Sequence, residues 1–470
     1  MTFDEIFAKL DKSQLTMNHY KLISAAILGD MLEFFDYYII GFILAFIVIP
    51  WKLSFAATAV VLLTAGLGSL FGAFFYGHLA DRIGRRPVMI LTVLTFSIPS
   101  GLMYFTPDGN WIMLSVLRFL VGVGVGGLYS VDLPLVQEFV PYRLRGFISG
   151  LVTSMIPIGA LLGAASAAYL TPVIGWRGLF LLGMLPALLT LLIRAWVPES
   201  PRWLISKGRY EEAVKSINWV MKEKFDYKKI VVSAEEKIAA TKKVSFMEIF
   251  QYPRSLSITW SVGFCHALID YGFITWGPTL LALILQVPAA RAAEMFVVIT
   301  FFGFIARIFW SCISEALGRR IGGIMIGLGS AITLGIISQY YNAYWGDVPI
   351  IYPVFIATYF CVSGGWAITG PYSAEVWPSR LRSTGMGSSY GVAGIGRVFG
   401  PVILAIFAGS SNLVKPSATM DAIGPAYTFF ACIGLVMAVI YFFGYETRKK
   451  SIDQIEEMLS AQKAQKLSSS

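Results

Sequence analysis

Three carboxylates interrupt one apolar run. Asp30, Glu33 and Asp36, with Tyr37 beside them, lie within residues 22–50, among Leu, Ile and Phe. At 100° per helical residue, Asp30, Glu33 and Tyr37 fall within about 60° of one another, and Asp36 widens the arc to about 120°. One face of this helix is therefore acidic and must look into a protein interior or a wet cavity. An ionisable side chain at membrane depth costs at least a few kcal/mol and points to function. Burial and mutual repulsion disfavour the charged form of a carboxyl, which suits a proton carrier, with Glu33 and Asp36 ahead of Asp30. The alternative is structural pairing with arginines. Asp132, in a later apolar run, either relays a proton or pairs with Arg145 or another base.

Arg118, Arg307 and Arg397 are the cations at comparable depth. Arginine keeps its proton, so each needs a counter-anion from the protein or from a substrate. Arg397 has no acidic residue nearby in its own run and is the first candidate to clamp a substrate carboxylate. Arg194, near a run's end, is expected to snorkel. His266 and Asp270 stand four residues apart and share a helix face, with Tyr271 and Trp276 following. They form either a cavity wall with a second titratable pair or a hydrogen-bonded pair between helices. Tyr129, Tyr372 and Tyr390 either line a cavity or pack. His78 and His19 have no neighbouring ligand set, and the four cysteines form no CxxC. Neither a metal, a cofactor nor a catalytic centre is expected.

Long apolar elements must position these groups. Of 470 residues, 56% are hydrophobic and 14% charged, against about 25% charged in a soluble domain. About twelve runs reach the roughly 18 residues that read as membrane spans. Only helices fit, since hydrocarbon offers backbone groups no water and the runs are too long for barrel strands. The expected class is an all-α membrane protein with twelve transmembrane helices in two pseudo-symmetric six-helix bundles. A tail (1–20), a first bundle (21–197), a charged linker with short helices (198–254), a second bundle (255–446) and a closing tail (447–470) follow one another. The basic residues gather in alternate loops, so those loops and both termini are expected to be cytoplasmic. The net charge of +9 sits there. Topology and attraction to anionic lipid account for it without nucleic acid. The first twenty residues are an amphipathic tail and not a cleavable signal. The lack of Asn-x-Ser/Thr acceptors and the short outer loops lean toward a prokaryotic inner membrane.

A repeat marks the halves. GHLADRIGRRP (Gly77–Pro87) returns weakly as SEALGRR (Ser314–Arg320), and EFVPYRLRG (Glu138–Gly146) returns as EVWPSRLRS (Glu375–Ser383). Two like halves with the same charged loops form a transporter pattern. These loops resemble signatures of the major facilitator superfamily. RFLVGVGVGG (Arg118–Gly127) is similar to its fourth-span motif, and VPESPRWLISKGR (Val197–Arg209) and AEVWPSRLRSTGMG (Ala374–Gly387) resemble its sugar-porter and organic-ion branch. GGLYSVDLPLVQEFVP (Gly126–Pro141) is similar to niacin-type and synaptic-vesicle-2-like transporters. YGFITWGPTLL (Tyr271–Leu281) and GIGRVFGP (Gly394–Pro401) resemble that group and the aromatic-acid:proton symporters, and EFFDYYIIGF (Glu33–Phe42) the metabolite:proton symporters. CHALIDYG in the seventh span stands where sugar porters carry a Gln-Gln pair, which counts against a sugar. Ile156-Pro157-Ile158-Gly159 lacks the first glycine of the multidrug antiporter motif.

The resemblance implies alternating access, with Arg118 paired to the first-span acids when no proton is bound. It also implies an inner latch of Asp81, Arg82, Gly84, Arg85 and Arg86, closed when the protein is open outward. Asp81 is expected at a helix N-terminus, with Glu315 as its counterpart beside Arg319. Glu138–Arg145 and Glu375–Arg382, with Glu199 and Glu446, would complete a ring of ion pairs. Charge logic adds a function: proton-coupled uptake of a small organic anion, a monocarboxylate or aromatic acid, by a monomer in a lipid bilayer. Substrate contacts are expected from Arg397, Arg118, His266, Asp270, Tyr271 and Tyr37. A facilitator or proton symporter of a neutral solute such as a sugar or polyol is the alternative, and a non-transporting membrane sensor the alternative of another class.

Overall fold

In the computed structural model, residues 2–129, 131–141, 144, 148, 151–227, 230, 246–378 and 381–448 are described. Seventeen α-helices carry the argument. Helix α1 is Phe3–Lys12, α2 Met17–Ile47, α3 Phe55–Ile83, α4 Arg85–Leu102, α5 Trp111–Tyr129 and α6 Asp132–Phe139. Then come α7 Ile156–Ala165, α8 Thr171–Leu182, α9 Pro186–Trp196, α10 Pro201–Ser206 and α11 Tyr210–Val220. The second half holds α12 Pro253–Ile284, α13 Ala289–Leu317, α14 Arg319–Tyr340, α15 Ile351–Glu375, α16 Arg382–Ala408 and α17 Pro416–Phe442.

Ten described helical runs are long and apolar enough to cross a membrane. The expected twelve differ in the reading of two places. Helix α2 carries three carboxylates, and residues 151–188 count as one run although the chain turns at Gly175, where φ is 69°. The fourth expected span is not continuous either. It breaks between α5 and α6, so that Asp132 opens a new helix.

Large apolar side chains such as Phe71, Phe74 and Ile332 stay exposed on the outside of the helices. In water that would be an aggregation liability; in lipid it is the expected surface. The polar and charged residues Asp30, Glu33, Asp36, Arg118, Arg307 and Arg397 are buried instead. Among the described residues the halves meet chiefly where α2 packs on α12, α3 on α16 and α7 on α13, with α2 also touching α13.

One end of this seam is shut. Away from the basic loops, the main chain of 53–56 bonds to that of 410–414: Phe55 to Asn412 at 2.9 Å, Ala56 to Ser410 at 3.0 Å, and Val414 to Leu53 at 2.9 Å. The rings of Phe42 and Phe296, and of Phe55 and Trp276, meet across it at 5.7 Å. Gly41 lets α2 touch α12, since a Cβ there would stand 2.8 Å from the carbonyl oxygen of Thr275.

Candidate functional site

Midway along the seam the buried charges converge. Arg118, on α5, donates to the carbonyls of Asp36 at 2.9 Å and Tyr37 at 2.8 Å. Its expected partners are the carboxylates of α2, whereas these two bonds go to the main chain of that helix. The Asp36 carboxylate accepts the Ser100 hydroxyl, and Arg118 stays within electrostatic reach of it. Tyr37 lies under the Arg118 guanidinium at 5.8 Å and meets Tyr271 edge-on at 5.5 Å, so one ring of each half closes the centre.

Arg397 comes from the facing helix α16. Its guanidinium lies 4.1 Å from the ring of Tyr390 and 5.4 Å from that of Tyr271. Rings supply partial negative charge but cannot replace a counter-ion. Two acids act on it electrostatically, Glu33 of the opposite half and Asp270 of its own, and neither Glu33 oxygen has a hydrogen-bond donor among the described residues. The structure thus sets a fixed cation and an undersatisfied carboxylate on opposite sides of the seam. Asp30 neighbours Asp132 and Glu33 in the same way.

His266 and Asp270 share a face of α12 but, among the described residues, bond to other partners and not to each other. Both turn to α15 instead. His266 bonds through Nδ1 to Thr369 and through Nε2 to the Val362 carbonyl, both at 2.8 Å, and its ring stacks on Trp366 at 4.4 Å. Asp270 accepts from Trp366 Nε1 at 2.8 Å. Trp366, which touches both, is a residue that the sequence does not single out, since one more aromatic in an apolar run carries no signal. The adjacent Gly365 does: a Cβ there would meet the His266 ring at 2.7 Å.

The basic end is built twice. Gly84 and Gly318 adopt φ of 109° and 107°, left-handed values that favour glycine. Each opens a helix, α4 or α14. Glu199 accepts the Arg85 amide at 2.9 Å, and Glu446 the Arg319 amide at 3.2 Å. The helix-start position expected for Asp81 is therefore filled by Glu199. The Asp81 side chain is exposed, and its carbonyl accepts Trp203 Nε1 at 3.0 Å.

Glu138 pairs with Arg85 at 3.0 Å and also accepts the Ser200 hydroxyl. Arg319 pairs with Glu375 at 3.2 Å and Glu315 at 2.6 Å. The expected partners Arg145 and the side chain of Arg382 lie outside the described residues, as does the side chain of Tyr129. Arg82 and Arg86 sit on the same basic surface. Burial raises the Glu199 acid above its ordinary value, against the lowering donors of the Ser200, Arg85 and Arg86 amides.

His19 was given no role by the sequence. It is fully buried, with Nδ1 near Thr16 and Nε2 at 3.0 Å from the Phe139 carbonyl, tying the start of α2 to the end of α6. Phe3, Ile6 and Leu10 of α1 are buried, the Phe3 ring lies 5.9 Å from that of Tyr210 on α11, and Lys9 reaches Glu223 at 2.7 Å. The expected tail is thus a packed helix.

Two pseudo-symmetric bundles with apolar exteriors and buried opposite charges along their seam define a membrane-transporter fold. The chain belongs to the sugar (and other) transporter family, whose model matches residues 22–459, and with it to the major facilitator superfamily; it is a transporter and not an enzyme. It is 28% identical to the niacin transporter NiaP of Acinetobacter baylyi, over 96% of this chain and 99% of that one. It is 27% identical to the 4-hydroxybenzoate transporter PcaK of Pseudomonas putida, over 83% of this chain and 86% of the other. Among solved structures, the proton:xylose symporter XylE matches 95% of this chain and 100% of its own with a TM-score of 0.68 at 19% identity. Transporters of small organic acids are thus its relatives, and it is an integral multi-pass membrane protein.

Proposed function

We infer that this protein couples proton movement to uptake of a small organic anion, an aromatic monocarboxylate, by alternating access across a bacterial inner membrane, with its basic end in the cytoplasm. The observation that carries this reading is Arg397 facing Glu33 across the seam. A permanently charged guanidinium held under two tyrosine rings suits a carboxylate, which it can engage through two parallel N–H···O bonds. Niacin and 4-hydroxybenzoate, named for two relatives, are both aromatic acids, and Tyr37, Tyr271, Tyr390 and Trp366 offer ring faces.

Coupling follows from charge balance. Without substrate, Glu33 is the counter-ion of Arg397. An incoming carboxylate takes over that cation, and Glu33 is left as a buried anion with Asp132 close by. Protonation removes the cost of that charge. Asp36, with Arg118 behind it, is the second carboxyl of the coupling set. One substrate anion and one proton then cross together as the halves rock about the Tyr37–Tyr271 contact. Tyr37, His266 and Asp270 shape the pocket, and the Asp81 loop latches the cytoplasmic end in the outward-open state.

The test uses purified protein in liposomes. An acid-outside pH gradient should drive accumulation of benzoate or nicotinate but not of the corresponding amide. Equal uptake of acid and amide would favour a neutral-solute facilitator.

A further inference from the structure

Two buried acids in the first half stand beside each other. Asp30, on α2, is 0% exposed, and Asp132, at the start of α6, is 1% exposed. Neither Asp30 oxygen meets an N–H or O–H donor among the described residues; the Asp132 carboxyl is within hydrogen-bonding reach of it. Ionised carboxylates only accept, so a bond between two of them requires one proton. The break between α5 and α6 makes this possible, because it places Asp132 in the first turn of a new helix, where the helix dipole favours negative charge.

Arg307 faces this pair from the other half. It lies on α13, is 8% exposed, and donates to the Thr153 carbonyl at 3.1 Å, a bond that crosses the seam. Its charge acts on Asp30, and also on His266 and Asp270 of α12. Among the described residues, Glu33 of the same helix and Tyr390 of α16 also interact with Asp30. Counted across the seam, four carboxyls (Asp30, Glu33, Asp132, Asp270) meet two guanidiniums (Arg307, Arg397). Two protons make the group neutral, and a bond between Asp30 and Asp132 takes one of them.

We propose that Asp30 and Asp132 share that proton as a carboxyl pair and clasp Arg307 across the seam, making Arg307 and Asp132 positioning residues of the transport cycle. With one shared proton the pair is a monoanion and holds Arg307, keeping the halves together on the basic side of the centre. A second proton makes the pair neutral, removes the attraction and lets the basic end open. The bonds that break and form are hydrogen bonds and one O–H; the proton comes from water and returns to it. This clasp stands beside the transported proton assigned to Glu33 and does not depend on which solute is carried.

The test reads the distance between the halves, not transport. Spin labels are placed on Pro87→Cys and Ile321→Cys, at the starts of α4 and α14, in full-length protein whose four native cysteines are serine. The protein is held in lipid nanodiscs without substrate. The wild-type background should show a step to longer inter-label distance as pH falls. Arg307→Gln should lose the step and stay at the long distance, while Arg307→Lys should keep it, since charge is what the clasp needs. Asp132→Asn should move the step up by about one pH unit, a tenfold change in proton affinity, because the Asp30 carboxylate then has an amide in place of the shared O–H, a weaker donor to the anion. If Arg307→Gln does not fold, Asp132→Asn alone decides. A pH-independent distance in the wild-type background, a step kept in Arg307→Gln, or a step unmoved in Asp132→Asn overturns the clasp. Transport can fail or succeed independently of this readout, so it separates the clasp from the coupling at Glu33.

Discussion

Glu199 accepts the main-chain amide of Arg85 at 2.9 Å across 114 residues of sequence. Its counterpart Glu446 does the same for Arg319 at the start of the matching helix in the other half. Each carboxylate sits just past the last span of its bundle and fixes the loop between the bundle's second and third spans. A carboxylate at a helix start satisfies orphan amides and meets the positive end of the dipole. Each bundle is thereby closed into a unit that can rock as one body.

The cap gives the first prediction. Glu199→Ala should cost about 1 kcal/mol, the usual worth of a helix cap, and lower the thermal midpoint of purified protein. Glu199→Gln keeps an acceptor oxygen but no charge. Burial raises the folded-state acid of Glu199 above its unfolded value. Its contribution to stability is therefore fully present below the unfolded value and lost as pH rises through the folded one. The thermal midpoint of Glu199→Gln relative to wild type should accordingly rise with pH. A difference that shrinks with rising pH contradicts this.

Asp81 gives the second. Its side chain is exposed in a structure whose opposite end is shut, as a latch used only in the outward-open state would be. Asp81→Asn should lose turnover while keeping substrate binding, and a cysteine introduced at the basic end should label faster. Unchanged labelling and transport reduce Asp81 to a determinant of topology.

The shut end gives the third. A Cβ at Gly41 would lie 2.8 Å from the main-chain oxygen of Thr275, where neither backbone can yield cheaply. Gly41→Val should hold the halves apart there and stop transport, and a cysteine placed at Leu53 should become more reactive. Normal transport by Gly41→Val would show that this contact opens at no cost.

Arg397 gives the fourth. Its guanidinium plane lies against Tyr390 at 4.1 Å, and lysine has neither the plane nor the fork. Arg397→Lys should weaken binding of an aromatic acid by a few kcal/mol, the range for a buried charged hydrogen bond. That is two or more decades in Kd, measured by calorimetry in detergent. Lysine binding as tightly as arginine removes the bidentate contact from the account.

The sequence made the architecture legible because hydrocarbon permits so few backbones. Long apolar runs had to be helices, and the twin loops marked two like halves. The acidic face of α2 followed from angular arithmetic alone. Contacts between helices were another matter. That Asp30 meets Asp132 depends on the register of α2 against the start of α6 at Asp132, which no local pattern announced. Asp81 looked like the helix-start anchor because it was near in sequence; the residue that serves, Glu199, comes from the far end of the bundle. His266 and Asp270 did share a face, as their spacing required, but which partner they took depended on Trp366 and Thr369 of α15. Helical periodicity fixes what one helix presents, and packing decides what meets it.

The central claim is that Glu33 carries the proton that accompanies the substrate bound at Arg397. Its most direct test compares two assays of Glu33→Gln in proteoliposomes. The account predicts that the variant loses accumulation of the acid driven by a pH gradient and keeps counterflow exchange, which needs no net proton movement. Accumulation against a concentration gradient at the wild-type level would place the coupling proton elsewhere and contradict the account.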